Sequence, residues 1–336
     1  MNTAVSPLHI TLPENNAELP LLRRDWRECV LRRRDLGTRH PLICTSNIHA
    51  PLGVDLVWEG GRAPYTLRVA SSHDEHTVSN LYGTSYRVRN LFTGEKYFWE
   101  ITDSAGNKAS SSFNTAPGVR LIEFPLSAGG PVNFRDLGGR KTLSGKKVKQ
   151  GIVYRGSQTV CDFFFEENRK YILENLKIKT DLDLRYDTQV VKEVAAGGVS
   201  SLGKEVQWLH YTVNAFDSFT PEQCELFRKT LQTFAVKENY PIYVHCRGGA
   251  DRTGEISFLF NGLAGVSLEE LYDDYELSAL GPFPCSRNFE YFQKWQETIA
   301  TYSSKELPIQ EQIEKYCLAI GLTPEEISAI RQNILE

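Results

Sequence analysis

The chain has 336 residues, a formal charge of −4 and 41% hydrophobic residues. That length fits two domains, each large enough to bury a core. The mildly acidic balance argues against a general nucleic-acid footprint, and no apolar run is long enough to span a membrane. Seven cysteines, an odd number with no CxxC pair, point to reduced thiols rather than a disulfide frame or zinc site. Residues 1–20 lack the charged-then-apolar pattern of a leader, so the expectation is cytoplasmic, or secreted if a leader has been removed.

Residues 1–40 read as a separate polar and then basic segment. Arg23, Arg24, Arg27, Arg32, Arg33 and Arg34 surround Leu21, Leu22, Trp26, Val30 and Leu31. Such a segment packs on a neighbouring domain, or meets an acidic partner or membrane surface. Residues 41–118 read as all-β, with alternating runs at 54–58, 65–70, 86–88, 97–102 and 110–113. Gly60-Gly61, Asn90, Thr93-Gly94 and Ala105-Gly106-Asn107 mark turns between them. Strands at that spacing suggest a small β-sandwich, with Trp58 a core residue. The stretch 91–97, L-F-T-G-E-K-Y, resembles the turn before the sixth strand of a fibronectin type III domain, where a tyrosine makes the corner. That resemblance implies spacing, substrate presentation or docking of a protein partner, without chemistry of its own.

A new domain, 119–336, follows. V-N-F-R-D-L-G-G at 132–139 is its first marker and could by itself be a polar turn with a glycine pair. A strand at 152–157 ends near Arg155, either a strand-end surface charge or a phosphate-facing arginine. A helix is expected at 167–176, a strand at 178–185 containing D-L-R at 183–185, and another strand at 206–213. The loop 214–219 carries Asp217, and Thr220-Pro221-Glu222 reads as an N-cap, a proline at N1 and an acidic first turn. Ser267 and Thr323 read as caps of two of the four closing helices.

The densest stretch is P-I-Y-V-H-C-R-G-G-A-D-R-T-G at 241–254. It reads as a buried strand, a glycine-bearing loop and a helix. A Cys-x5-Arg spacing is weak alone and gains force from this context. A loop entering a helix N-terminus aims several N–H groups at one spot, where the helix dipole adds positive potential. Gly248 and Gly249 let the backbone curl into an anion nest, and Arg247, Ala250 and Gly254 are the further candidates for contacting substrate. Arg252 can grip two phosphate oxygens with its planar fork. The same field lowers the pKa of Cys246, making it an in-line nucleophile, and Thr253 can donate a hydrogen bond to the leaving thiolate.

This loop resembles the signature H-C-x-x-G-x-x-R-[ST] of the cysteine-dependent protein tyrosine phosphatase superfamily, with Gly249 on the family glycine. It is more closely similar to the C-x-x-G-K-D-R-T-G loop of the bacterial and fungal tyrosine phosphatase family 3, from which it departs by Ala250 in place of lysine. N-F-R-D-L-G-G is similar to that family's upstream motif, and the resemblance spans roughly 120–336. It implies an α/β catalytic domain, a central sheet flanked by helices, that hydrolyses phosphate monoesters through a phosphocysteine with no cofactor or metal. His245, Asn133, Arg135 and Asp136 would brace the site, and Arg155 would face substrate. The acid is Asp251, as in the closer relatives, or Asp217, at the mobile-loop position of most of the superfamily. Because the missing lysine removes a cation, the expected substrate is phosphotyrosine, on a protein or a small molecule, with a phosphoinositide or inositol phosphate as alternative. A phosphate-binding pseudoenzyme or adaptor is the reading from another class.

Overall fold

The computed structural model describes residues 6–23, 26, 28, 51–126, 130–159, 165–278 and 289–336. The chain divides into one unit of residues 1–24 and 50–123 and a second of 25–49 and 124–336. Arg24, Arg27, Arg32, Arg33, Arg34, Cys29, Cys44, Cys161 and Cys285 lie outside the described residues.

The first unit is all-β. β1 (His9–Leu12), β3 (Val54–Glu59) and β6 (Ser85–Val88) form one sheet, in the order β1-β3-β6. β2 (Ala17–Leu19), β4 (Tyr65–Ala70), β5 (Glu75–Leu81), β7 (Lys96–Thr102) and β8 (Lys108–Thr115) form a second, ordered β2-β8-β7-β4-β5. Alternation puts Leu56 and Trp58 of β3, Leu67 and Val69 of β4, and Tyr97, Trp99 and Ile101 of β7 into one core. At the 91–97 turn the Tyr97 hydroxyl accepts the Phe92 N–H at 2.9 Å. Setting 1–40 apart as its own segment was wrong for its described part. β1 pairs with β3, β2 pairs with β8, and Leu21 joins this core. Two strands of three or four residues give too short an alternation to separate from polar coil.

The second unit is built on a sheet ordered β12-β11-β13-β10-β9, comprising β9 (Arg135–Asp136), β10 (Val153–Ser157), β11 (Thr180–Asp183), β12 (Gln207–His210) and β13 (Ile242–Cys246). β10, β11, β12 and β13 run parallel, and β9 is antiparallel to β10. β13 is central and buried along its whole length, as its apolar run requires. Its helices, in chain order among the described residues, are α1 (Glu166–Lys170), α2 (Val191–Ala195), α3 (Pro221–Gln232), α4 (Asp251–Ala264), α5 (Leu268–Leu277), α6 (Phe289–Ala300), α7 (Ile309–Ala319) and α8 (Pro324–Ile334). The predicted caps are present: Thr220, Ser267 and Thr323 each accept an N–H of their helix's first turn. α4 is buried from Arg252 to Ala264 and belongs to a core shared with α6, α7 and α8. A helix buried on all sides can follow the sheet only by leaving the carboxyl end of β13 directly. That places the 247–250 loop at the sheet edge where parallel α/β folds collect their sites.

Candidate active site

Ala250 stands at the N-cap of α4, and its side chain cannot cap the helix. The first-turn amides are therefore left for another acceptor, and Cys246 supplies it. The thiol is 3% exposed, and burial alone would raise its pKa. The Arg252 charge, the Thr253 hydroxyl and the amides of Thr253 and Ala250 outweigh that burial, and the net shift is downward. Cys224 and Cys317 sit without such a field, and burial drives both upward. Of the described cysteines, Cys246 alone is poised as a thiolate.

Arg252 is 8% exposed. Its guanidinium donates to the Leu184 carbonyl at 2.9 Å, lies within 3.5 Å of Gln189 Oε1, and covers the Tyr186 ring at 4.2 Å. Leu184 lies within D-L-R, and Tyr186 and Gln189 follow it. Arg185 takes a structural role, paired with Asp183 and Glu193 at 2.6 Å each. Asp251 stands one residue before Arg252, and its Oδ1 accepts the Tyr275 hydroxyl at 2.9 Å. Asp217 is half-buried and within hydrogen-bond reach of Asn214 Nδ2, at 3.3 Å. His245 is buried with Nε2 2.8 Å from Asp181 Oδ1. Burial opposes its charge, but Asp183 and Asp181 outweigh it and push its pKa up to about 9.

The loop is gripped from N-F-R-D-L-G-G by Asn133, which Arg135 holds in turn. Asn133 Nδ2 donates to the Gly249 carbonyl at 2.7 Å and to Ser278 Oγ at 3.1 Å. Arg135 donates to Asp274 Oδ1 at 2.9 Å and also bonds the Asn133 side chain. Asp136 instead accepts the Gly138 N–H at 2.8 Å and the Gly151 N–H at 2.6 Å, bracing the neighbouring turns. The expectation for Arg155 fails in both forms. It is neither a surface charge nor phosphate-facing but fully buried, ion-paired with Asp274 and donating to the carbonyls of Gly249 at 2.7 Å and Ala250 at 3.2 Å. Gly254, in the first turn of α4, packs against α5. A Cβ there would lie 2.7 Å from the Tyr275 ring, so its smallness serves helix packing.

Sequence reasoning missed Asp274, the buried carboxylate shared by Arg135, Arg140 and Arg155. Burial opposes its ionisation, and the three guanidiniums hold its pKa far below the usual carboxylate range. Arg247 and Gly248 are the exposed members of the loop. Gly249 has φ +65°, and a Cβ there would lie 2.2 Å from the Gly156 carbonyl. The left-handed backbone alone costs about 1–2 kcal/mol, and the clash is with main chain that cannot rotate away. Gly249→Ala is therefore expected to lower kcat/KM by roughly a hundredfold through displacement of the nest. Steady-state kinetics check this, and a change below about twofold would contradict it.

A model of the tyrosine phosphatase family matches residues 126–336. No curated protein matches. Among solved structures, the chain is similar to the core catalytic domain of the PP-IP phosphatase SIW14 from S. cerevisiae in complex with citrate. The identity is 23%, over 51% of this chain and 93% of that one, with a TM-score of 0.33. A second structure, of a Siw14 catalytic core, is 21% identical over 63% of this chain and 94% of that one, again with a TM-score of 0.33.

Proposed function

We propose that this chain, which belongs to the tyrosine phosphatase family, hydrolyses phosphate monoesters without a metal ion through a phosphocysteine on Cys246. The supporting observation is the thiol whose pKa is held down at the N-terminus of α4, beside Arg252. In the first step Cys246 Sγ attacks phosphorus in line, the S–P bond forms and the ester P–O bond breaks. Asp251 gives its proton to the departing oxygen. In the second step the Asp251 carboxylate takes a proton from water as the water oxygen attacks phosphorus. The S–P bond breaks, inorganic phosphate leaves, and the Thr253 hydroxyl supports the returning thiolate. Arg252 and the loop amides hold the equatorial oxygens throughout.

For substrate, we favour a phosphotyrosine-like monophosphate. The family-3 lysine is replaced by Ala250, which is 3% exposed, so that position offers no cation. Tyr186, 37% exposed and against Arg252, offers an aromatic face for a phenyl ring. A missing cation contact is worth on the order of 1–3 kcal/mol, or roughly ten- to a hundredfold. A phosphotyrosine peptide is expected to exceed inositol polyphosphates in kcat/KM by at least about tenfold. The reverse preference would support the inositol phosphate reading, with the exposed Arg247 supplying the charge.

A further inference from the structure

α4 carries one buried carboxylate in its second turn, Glu255, amid Ile256, Phe258, Leu259 and Phe260. It is 0% exposed. Its Oε1 accepts the Phe216 N–H at 3.0 Å, and its Oε2 is buried with no hydrogen-bond partner among the described residues. Phe216 has φ +60°, a left-handed conformation that disfavours a non-glycine residue and so must be held in place. The rest of the 214–219 loop is also fastened. The Asn214 N–H reaches Gln223 Oε1 at 2.8 Å, Trp295 donates to Ser218 Oγ at 2.7 Å, and the Tyr316 hydroxyl donates to the Ser218 carbonyl at 2.9 Å. Glu255 supplies the tie from this loop to the helix of the catalytic loop.

We propose that Glu255 is a positioning residue of the phosphatase reaction, fastening the strained Phe216 and the adjacent Asp217 to the helix that bears Asp251 and Arg252. The inference rests on the phosphocysteine reading above. Its chemistry is that of a neutral acid. Burial drives its pKa well above the carboxylate range, and the negative charges of Asp251 and Cys246 push the same way, against the Phe216 N–H and Arg252. The Tyr316 phenol also lies within its electrostatic reach. As a neutral group it accepts the amide bond without adding a negative charge beside the thiolate. The favoured folded form is protonated, so its contribution to stability is full below the ordinary glutamate pKa. That contribution is lost as pH rises toward the raised folded value.

The test compares Glu255→Gln and Glu255→Leu in the full chain. Steady-state kinetics use an aryl phosphate, thermal unfolding is followed from about pH 5 to about pH 8, and hydrogen exchange is read at the Phe216 amide. Gln keeps the acceptor, so its kcat is expected within about threefold of the unmutated protein, and its unfolding temperature gains on that protein as pH rises. Leu fills the space without accepting the N–H. It is expected to lose roughly tenfold or more in kcat with little change in KM, and to lose protection at Phe216. A Gln variant as slow as Leu would overturn the positioning role in favour of proton transfer by Glu255 itself. A Leu variant with normal kcat and a protected amide would overturn it altogether. If the unmutated protein turned over no phosphate monoester, the phosphatase reading would fail, and exchange at Phe216 would still decide the fastening.

Discussion

Cys246→Ser is expected to abolish turnover, lowering kcat by roughly 10⁵-fold. Arg252, the Thr253 hydroxyl and two amides are arranged to stabilise a thiolate at this position. A serine hydroxyl ionises so far above neutral pH that the same field cannot produce the alkoxide. The anion site itself does not depend on sulfur. Oxyanion binding, measured by competition or calorimetry, is therefore expected to stay within about threefold of the unmutated protein. Residual turnover above about one per cent would mean that another group attacks phosphorus. Full activity lost on adding a chelator would equally contradict a reaction carried by the thiolate.

The second large effect concerns the acid. Asp251→Asn is expected to lower kcat by about 10²–10⁴ for a leaving group that needs a proton, such as tyrosine. The loss should shrink for strongly acidic phenols, which leave unaided. Asp217→Asn should cost less than about fivefold. The preference for Asp251 has a structural basis. It lies on the first turn of α4 beside Arg252, and its Oδ1 is oriented by the Tyr275 hydroxyl at 2.9 Å. Asp217 sits on a loop bound to the protein at Asn214, Phe216 and Ser218. A loop so fastened does not need to swing over the substrate to build the site. If Asp217→Asn abolished the leaving-group-dependent step and Asp251→Asn left it intact, the two roles would be exchanged.

The stretch 246–252 was legible as a strand-to-helix turn because its pattern is local. A strand, two glycines and an arginine six positions past a cysteine must form one turn, and they do so between β13 and α4. The brace from N-F-R-D-L-G-G was legible in kind but not in partner. Asn133 reaches the Gly249 carbonyl and Arg135 reaches Ser278, whereas Arg155 turned out to hold loop carbonyls rather than substrate. Nothing near Arg155 in sequence announces Asp274, whose meaning comes from three arginines brought together by folding. Removing one partner of such a buried cluster costs about 3–5 kcal/mol, so substitutions there report folding before catalysis. Glu255 carried a faint signal, an ionisable residue in an otherwise apolar turn one helical turn past Asp251. Its partner, the Phe216 amide, could be known only once the loop was placed.

The most direct measurement is to trap the intermediate. The unmutated protein would be mixed with an aryl phosphate labelled in its phosphoryl group, quenched in denaturant within the first turnover, digested, and mapped by mass spectrometry with and without chelator. The account predicts label on the peptide containing Cys246, on sulfur, in equal amount in both arms, and none in Cys246→Ser. Continued phosphate release with no labelled cysteine at any quench time, or label on another residue, would contradict it.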